Sequence, residues 1–377
     1  MSNTKRLRVG ILFGGRSGEH EVSLASAASV IRALDPEKYE AVPIGISKDG
    51  RWLVGSGAVK MLPEVLKSGE RVSLPPDPTS AALVPLAQGT GHPTVSIDVV
   101  FPVLHGTFGE DGTVQGLLEL AGLPYVGAGV LASAVGMDKD VQKRLFKEAR
   151  LPIVPFLAFA RTEWEKNRAE VLAKIKKTFK FPLFVKPATL GSSVGMTRVK
   201  SAADLSAAMD TAGEFGLKII VERGVNAREI EVSVLGNEDL RASIPGEIVP
   251  HREYYDYQAK YLEGGTELVI PAKLTKKQVA TFQDYAVRAF RAIDGTGMAR
   301  CDFFLDRRNG RIYVNELNTI PGFTSISMYP KLWEASGLPY PKLIDRLIEL
   351  ALELHREKAR TKYSIELPPG AAGALDA

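Results

Sequence analysis

Apolar and polar positions along the chain change period several times, and each change predicts an element. Arg8 to Phe13 (RVGILF) reads as a buried strand, the glycine-rich GGRSGEHE follows, and Val22 to Leu34 has helical spacing closed by Asp35-Pro36. A second strand is expected at Glu40 to Ile46, then a Pro/Gly/Ser-rich surface stretch around 63 to 94, then an apolar strand at Ile97 to Leu104 ending at His105-Gly106. Alternating strand and helix signals predict a Rossmann-like parallel α/β sheet with its site at the strand carboxyl ends. After a helix at Asp138 to Ala149 the pattern becomes strand (Ile153 to Ala160), helix (Glu163 to Phe179), strand (Leu183 to Lys186), glycine loop, strand (Met196 to Val199), then helix and strand (Lys218 to Glu222), a small α+β unit. From Glu229 strands dominate: a helix at Lys276 to Ile293, a β-hairpin over Ala299 to Leu317, and a last helix at Pro341 to Arg356 before a frayed tail. Three units are expected, 1–138, 139–224 and 225–377.

Composition narrows the class. With 45% hydrophobic and 24% charged residues over 377 positions, disordered, coiled-coil and collagen-like chains are excluded. The net charge of +4 is slight and no long basic run occurs, so nucleic-acid binding is not implied. The single cysteine, Cys301, cannot build a disulfide scaffold and reads as a small core residue. Val9 to Phe13 is far shorter than a signal-peptide apolar region, and no stretch approaches a membrane span, so a cytoplasmic soluble protein is expected.

Glycines 14, 15 and 18 stand where a dinucleotide loop would, but their spacing is not G-x-G-x-x-G, and no Gly-Lys dipeptide supports a P-loop. Gly191-Ser192-Ser193-Val194-Gly195 matches G-x-S-x-G and raises a serine hydrolase. A nucleophile elbow needs a helix after it, whereas MTRVK alternates like a strand. A loop between strands, with Lys186 at the preceding strand end, suits instead a cover for phosphates, its N–H groups and hydroxyls wrapping a polyanion.

The segment ARCDFFLDRRNGRIYVNELN carries more. Period-two alternation puts Arg300, Asp302 and Phe304 on one face of its first strand, and Val314, Glu316 and Asn318 on one face of its second. A two-residue turn at Asn309-Gly310 would send Asp302 and Glu316 to opposite faces. A three-residue turn with Gly310 left-handed pairs Arg307 with Arg311, hence Asp302 with Glu316, and is the expected register. Two carboxylates facing each other repel unless a cation lies between, and oxygen ligands of this kind suit magnesium completed by water and phosphate. The plain alternative is a solvated face on which Arg300 neutralises Asp302. Glu21, at a helix start, either favours the helix dipole or meets a substrate amine. The polar aromatic run Tyr254 to Tyr261 looks like a mobile covering loop.

Together GGRSGEHEVS, PVLHGTFGEDGTVQG, MDK, FVKPATLGSSVGM, YDYQAKY, ARCDFF and NELNTIPGFTSIS, in this order, resemble the D-alanine:D-alanine ligase family of the ATP-grasp superfamily across residues 5 to 355. The resemblance implies three domains, ATP clamped between the central and C-terminal ones, and ligation of two D-alanines for peptidoglycan synthesis, hence cell wall and cell shape. It implies that Lys139 and Lys186 contact phosphates under the loop of Gly191, Ser192 and Ser193, and that Glu222 and Glu229 bind adenine and ribose. Asp302, Glu316 and Asn318 match the ligands of two magnesium ions, with manganese as the substitute. By the same resemblance Arg300 and the N–H of Gly322 form the oxyanion site, and Glu21, Ser192 and Tyr261 form a hydrogen-bonded trio in which Glu21 holds the first alanine's ammonium and Tyr261 joins Ser192 to shut the site. Lys260 and Ser327 take the second alanine's carboxylate and His105 lines the first pocket. A cytoplasmic homodimer is implied, without nucleic-acid or membrane partners. The turn RRNG is longer and more basic than the family needs.

Overall fold

The computed structural model describes residues 5–55, 62–86, 94–191, 194–250, 266–324 and 326–364. Its first sheet is built from Leu7–Gly14 (β1), Tyr39–Ile46 (β2), Trp52–Val54 (β3), Glu70–Ser73 (β4), Ala82–Pro85 (β5), Val95–Ser96 (β6) and Val99–Pro102 (β7), with His20–Ala33 (α1) and Leu62–Ser68 (α2) between strands. The order is β6-β5-β4-β3-β2-β1-β7. At its heart β1 pairs in parallel with β2 and β7. Val9, Ile11 and Phe13 enter one core and Leu12 another, as a strand covered on both faces requires. From β2 to β6 the pairing is antiparallel, so the sheet is mixed rather than parallel throughout. The stretch expected at the surface supplies α2, β4 and β5; Val72 and Leu83 are buried there beside more exposed neighbours. Strands this short, separated by Pro75, Pro76 and Pro78, leave little periodic signal.

Thr113–Leu120 (α3), Val130–Met137 (α4) and Lys139–Glu148 (α5) lead away from this sheet. Phe156–Ala160 (β8), Leu183–Pro187 (β9), Thr197–Val199 (β10) and Lys218–Arg223 (β11) then form a second, antiparallel sheet ordered β10-β9-β11-β8. The one helix expected over 163–179 is two, Arg161–Lys166 (α6) and Arg168–Thr178 (α7), broken at Asn167, where φ is −127°. Asparagine competes for backbone hydrogen bonds and disfavours helix interiors. Val185, Ile219 and Val221 pack against α7 and Leu205–Phe215 (α8), which turns the alternate residues Phe184, Lys186 and Glu222 the other way.

The third sheet runs β15-β14-β12-β16-β17, from Ala227–Leu235 (β12), Gly246–Pro250 (β14), Thr266–Val269 (β15), Met298–Asp306 (β16) and Ile312–Asn318 (β17), with Arg241–Ala242 (β13) beside β12. Lys276–Ala292 (α9), started by a Thr275/Gln278 capping box, covers one face and sets Phe282 edge-on to Phe303 at 5.1 Å. Cys301 is fully buried in this core. Met328–Ala335 (α10) and Tyr340–Lys358 (α11) return to the first sheet, where Trp333, Leu343 and Leu347 share a core with Val9 and Phe101. Phe323 lies edge-on to Phe101 at 5.6 Å and so anchors the segment after β17 to that sheet.

Candidate active site

The open faces of the second and third sheets bound a cleft of about 1150 Å³, lined among others by Lys186, Gly191, Glu229, Glu231, Asp302 and Glu316. That exceeds the usual volume for one drug-sized ligand.

On the third sheet the pairing brings Arg300 opposite Asn318, and Asp302 opposite Glu316 and Glu231. The expected pairing of Asp302 with Glu316 is present, but the turn is not the expected one. Four residues, Arg307 to Gly310, form the loop, closed by the Asp306 N–H donating to Arg311 O at 2.9 Å, with Gly310 at φ +69°. Phe303 then pairs with Val314 and Leu305 with Ile312, and Asn315 is the extra residue of a bulge. The bulge also sends Val314 into the apolar core with Leu317, away from Glu316 and Asn318. Without it this turn would have set Asn315 opposite Asp302.

Asp302 accepts a two-pronged hydrogen bond from Arg300, Nε to Oδ1 and Nη2 to Oδ2 at 2.7 Å each, and a third from Asn318 Nδ2 at 3.0 Å. Arg300 Nε also lies 3.0 Å from Glu231, a carboxylate the sequence reading missed, although the alternation of Glu229-Ile230-Glu231 places it on the same face. Lys139 Nζ meets Glu316 Oε2 at 3.1 Å and donates to Leu190 O at 2.9 Å, joining the acidic strand to the chain just before Gly191. Glu229 faces the same cleft from β12.

The second sheet supplies the cations. Lys186 Nζ lies 2.9 Å from Glu222 Oε2, and Lys143 Nζ, fully buried on α5, lies 2.9 Å from Glu222 Oε1. Burial opposes ionisation of Glu222, but the two ammonium groups, Lys143 first, outweigh it and hold the carboxyl at about 2. Burial would also lower the Lys186 ammonium, yet Glu222 and then Glu316 raise it. Glu222, expected to face adenine, is thus spent on an internal ion pair. Lys143 was missed too; its place one helical turn after Lys139 was the available signal.

The first sheet contributes the inner end. Glu21 is two-thirds exposed and pairs with Lys48 at 2.6 Å, so the structure does not bring it to the cleft. Glu19 stands there instead: its Oε2 is the nearest atom to where a Cβ would sit on Gly106 and Gly191, at 3.2 and 3.8 Å. The helix begins at His20, and two positions along a helix turn a side chain by about 200°. His105 is buried, which lowers its pKa; Nδ1 lies 3.1 Å from Ile320 O and Nε2 3.2 Å from Ser26 Oγ. The ring is therefore neutral, donating to the carbonyl and accepting from the serine, and ties the first sheet to the segment after β17. Glu110 accepts from the Gly106 N–H at 3.0 Å, and burial followed by the Glu19 charge pushes its carboxyl up to about 8. A side pocket joins Glu110 to Lys139, Gly191, Glu316 and Asn318.

Gly322 and Ser327 are brought together: a Cβ on Gly322 would lie 2.8 Å from Ser327 Oγ, which accepts from the Thr324 N–H at 3.0 Å. Ser192, Ser193, Lys260 and Tyr261 lie outside the described residues.

Models of two protein families match the chain: D-ala D-ala ligase N-terminus over residues 8–128 and D-ala D-ala ligase C-terminus over 145–349. The chain is 52% identical over 353 residues to the D-alanine--D-alanine ligase of Heliobacterium modesticaldum, covering 93% of this chain and 96% of that one. It is 49% identical over 363 residues to that of Bacillus cytotoxicus, with 96% and 99% covered. Among solved structures, the D-alanine-D-alanine ligase from Coxiella burnetii superposes with a TM-score of 0.83 at 37% identity, covering 95% of this chain and 97% of that one. VanG D-Ala:D-Ser ligase from Enterococcus faecalis also gives 0.83, at 34% identity over 92% and 100%. Likeness of this extent, in sequence as well as fold, makes the chain a member of the D-alanine–D-alanine ligase family, with its ATP-grasp architecture.

Proposed function

We propose that the protein joins two D-alanines into D-alanyl-D-alanine for peptidoglycan synthesis, splitting ATP to ADP and phosphate. The observation that carries this reading is one cleft with a lysine-bearing wall opposite a carboxylate-bearing wall. Under it the units 1–138, 139–224 and 225–377 act as the first-alanine, phosphate-loop and acidic-wall parts. The first D-alanine's carboxylate attacks the γ-phosphorus, ADP leaves, and an acyl phosphate forms. Lys139, Lys186 and the loop at Gly191, Ser192 and Ser193 meet the phosphate charge. The second D-alanine's amine, having lost a proton, attacks the acyl carbon, and the tetrahedral oxyanion is held by Arg300 and the Gly322 N–H until phosphate departs. Glu19, rather than Glu21, takes the first alanine's ammonium, with Ser192 and Tyr261 closing over it. Lys260 and Ser327 take the second carboxylate, and Glu229 stands on the nucleoside side, with Glu222 held by Lys143 and Lys186 behind the cleft wall.

Among the described residues no group of three or more His, Cys, Asp or Glu could hold a metal ion. Two carboxylates and one amide fit magnesium all the same, because magnesium keeps waters and takes substrate phosphates as ligands. Asp302, Glu316 and Asn318 would hold two Mg²⁺, or Mn²⁺, which would neutralise the phosphate charge. No helix among the described residues is long and apolar enough to cross a membrane; we place the enzyme in the cytoplasm as a homodimer.

The test is ADP release by purified protein with Mg²⁺ and D-alanine alone, with L-alanine, and with D-alanine plus D-serine or D-lactate, products being identified by mass. Dipeptide from D-alanine alone supports the reading. Release only when D-serine is added would give the chain the D-Ala:D-Ser pairing for which its Enterococcus relative is named.

A further inference from the structure

We propose that Lys143 is a positioning residue for the nucleotide: by holding one oxygen of Glu222 it leaves Lys186 able to pass from that carboxylate to a phosphate of ATP. The inference rests on the reading of Lys186 as a phosphate ligand.

Glu222 has two cations, and they differ. Lys143 is wholly enclosed, whereas the Lys186 side chain keeps 11% of its surface open and lines the cleft. The helix beneath Lys143 is fixed from several sides. Asp138 accepts from the N–H groups of Asp140 and Val141 at its start, and Lys218 of β11 bridges Asp138 at 2.8 Å and Asp140 at 3.0 Å. Gln142 accepts from the Leu317 N–H at 3.0 Å, and Phe146 is fully buried in the third sheet's core. Lys143 therefore cannot follow a ligand into the cleft, and Lys186 can reach one from where it stands.

The consequence is electrostatic. A buried carboxylate with a single cation resists giving that cation up, since separation leaves an uncompensated charge in a poorly solvated place. With Lys143 in permanent contact, Glu222 stays compensated when Lys186 turns to a phosphate. Lys143 Nζ lies 2.9 Å from Glu222 Oε1; burial lowers its pKa, and the Glu222 carboxylate opposes that and holds the proton on the ammonium. The groups facing it are Glu222, Lys186, the more distant Glu316, and the Phe156 ring at 5.9 Å. Lys139, one turn earlier on the same helix face, serves the acidic strand, so α5 delivers one lysine to each wall.

The experiment is steady-state kinetics of the full-length enzyme, with ATP and D-alanine varied separately, for Lys143→Met, Lys143→Gln and Lys143→Arg, each with a thermal melt. Loss of the charge in Met or Gln raises the KM for ATP on the order of tenfold while that for D-alanine stays within about twofold, and Arg restores the ATP value. In a Glu222→Gln background, where nothing traps Lys186, Lys143→Met adds less than about twofold. Should the Met variant fail to fold, Lys143→Gln decides: a folded Gln variant with the parental KM for ATP overturns the proposal. Equal losses for both substrates, or the full loss again beside Glu222→Gln, overturn it as well. Lys186→Met separates the two ideas. If it leaves the KM for ATP unchanged, the phosphate assignment of Lys186 fails; if it raises that KM and the Lys143 variants do not, only the role of Lys143 fails.

Discussion

The wall formed by β9, β10 and β11 lines the cleft with Lys186, Arg198 and Arg223, and behind it Glu222 is shared between Lys186 and Lys143 of α5, so cations are in excess. The wall formed by β12, β16 and β17 presents Glu229, Glu231, Asp302 and Glu316, with Arg300 and Lys139 against them, and there carboxylates are in excess. Both are antiparallel strands with an apolar core behind them. What differs is the sign left over, and the signs are opposite across one gap. Charges this enclosed are tolerable when paired. Under the proposed function, a nucleotide carrying magnesium would exchange these internal pairs for external ones, its phosphates meeting the cationic wall and its metal the anionic one.

The sharpest way to break this contrast is at the centre of the acidic wall. Asp302→Ala should cut ADP release on the order of 10³-fold or more at saturating ATP and Mg²⁺. A thermal melt should move little, because Arg300 keeps its contact with Glu231. Retained activity with an unchanged melt would remove the metal assignment. On the opposite wall Lys186→Met should lower kcat/KM for ATP on the order of 10²-fold, a smaller loss because Lys139 remains. Away from both walls, Gly322→Ala would push the Ser327 hydroxyl aside, its Cβ lying 2.8 Å from that oxygen. Expected is a rise on the order of tenfold in KM for the second D-alanine with the ATP value intact, read by varying each substrate in turn.

The mildest test concerns Glu110, whose carboxyl sits at about 8 against an ordinary 4.5. Between those values the folded protein keeps a proton that the unfolded chain has lost, so stability falls as pH rises through this window. Glu110→Gln should therefore melt progressively higher than its parent from pH 4.5 to about 8, and level off beyond. A constant difference across that range would show that Glu110 does not titrate there.

Much of the site was legible because strands alternate. Arg300 and Asp302 were placed by period two, and their apolar neighbours Cys301 and Phe303 do fill a core; Lys186 was read from its place at a strand end before the glycine loop, and Glu222 only from the family resemblance. Glu19 was passed over in favour of Glu21 although the helix start at His20 was read correctly, and the two positions between them turn a side chain by about 200°. Lys143 reads from sequence as one more helix lysine; its enclosure comes from Glu222 on β11 and the Phe156 ring on β8, which no local pattern reveals. In the hairpin the expected pairing came out through two deviations that cancel, a turn one residue longer than expected and a bulge that restores the offset.

That cancellation separates the chemistry from the chain's exit loop. Alternation is a parity rule, under which one residue gained or lost reverses every side chain beyond it. Asn315 absorbs the odd residue between the loop and the site, so the basic tip from Arg307 to Arg311 can keep its own length and charge while Asp302 and Glu316 remain in phase. Loop and site are then free to diverge independently, and shortening the strand by Asn315 alone would leave Glu316 as the next residue to meet Asp302.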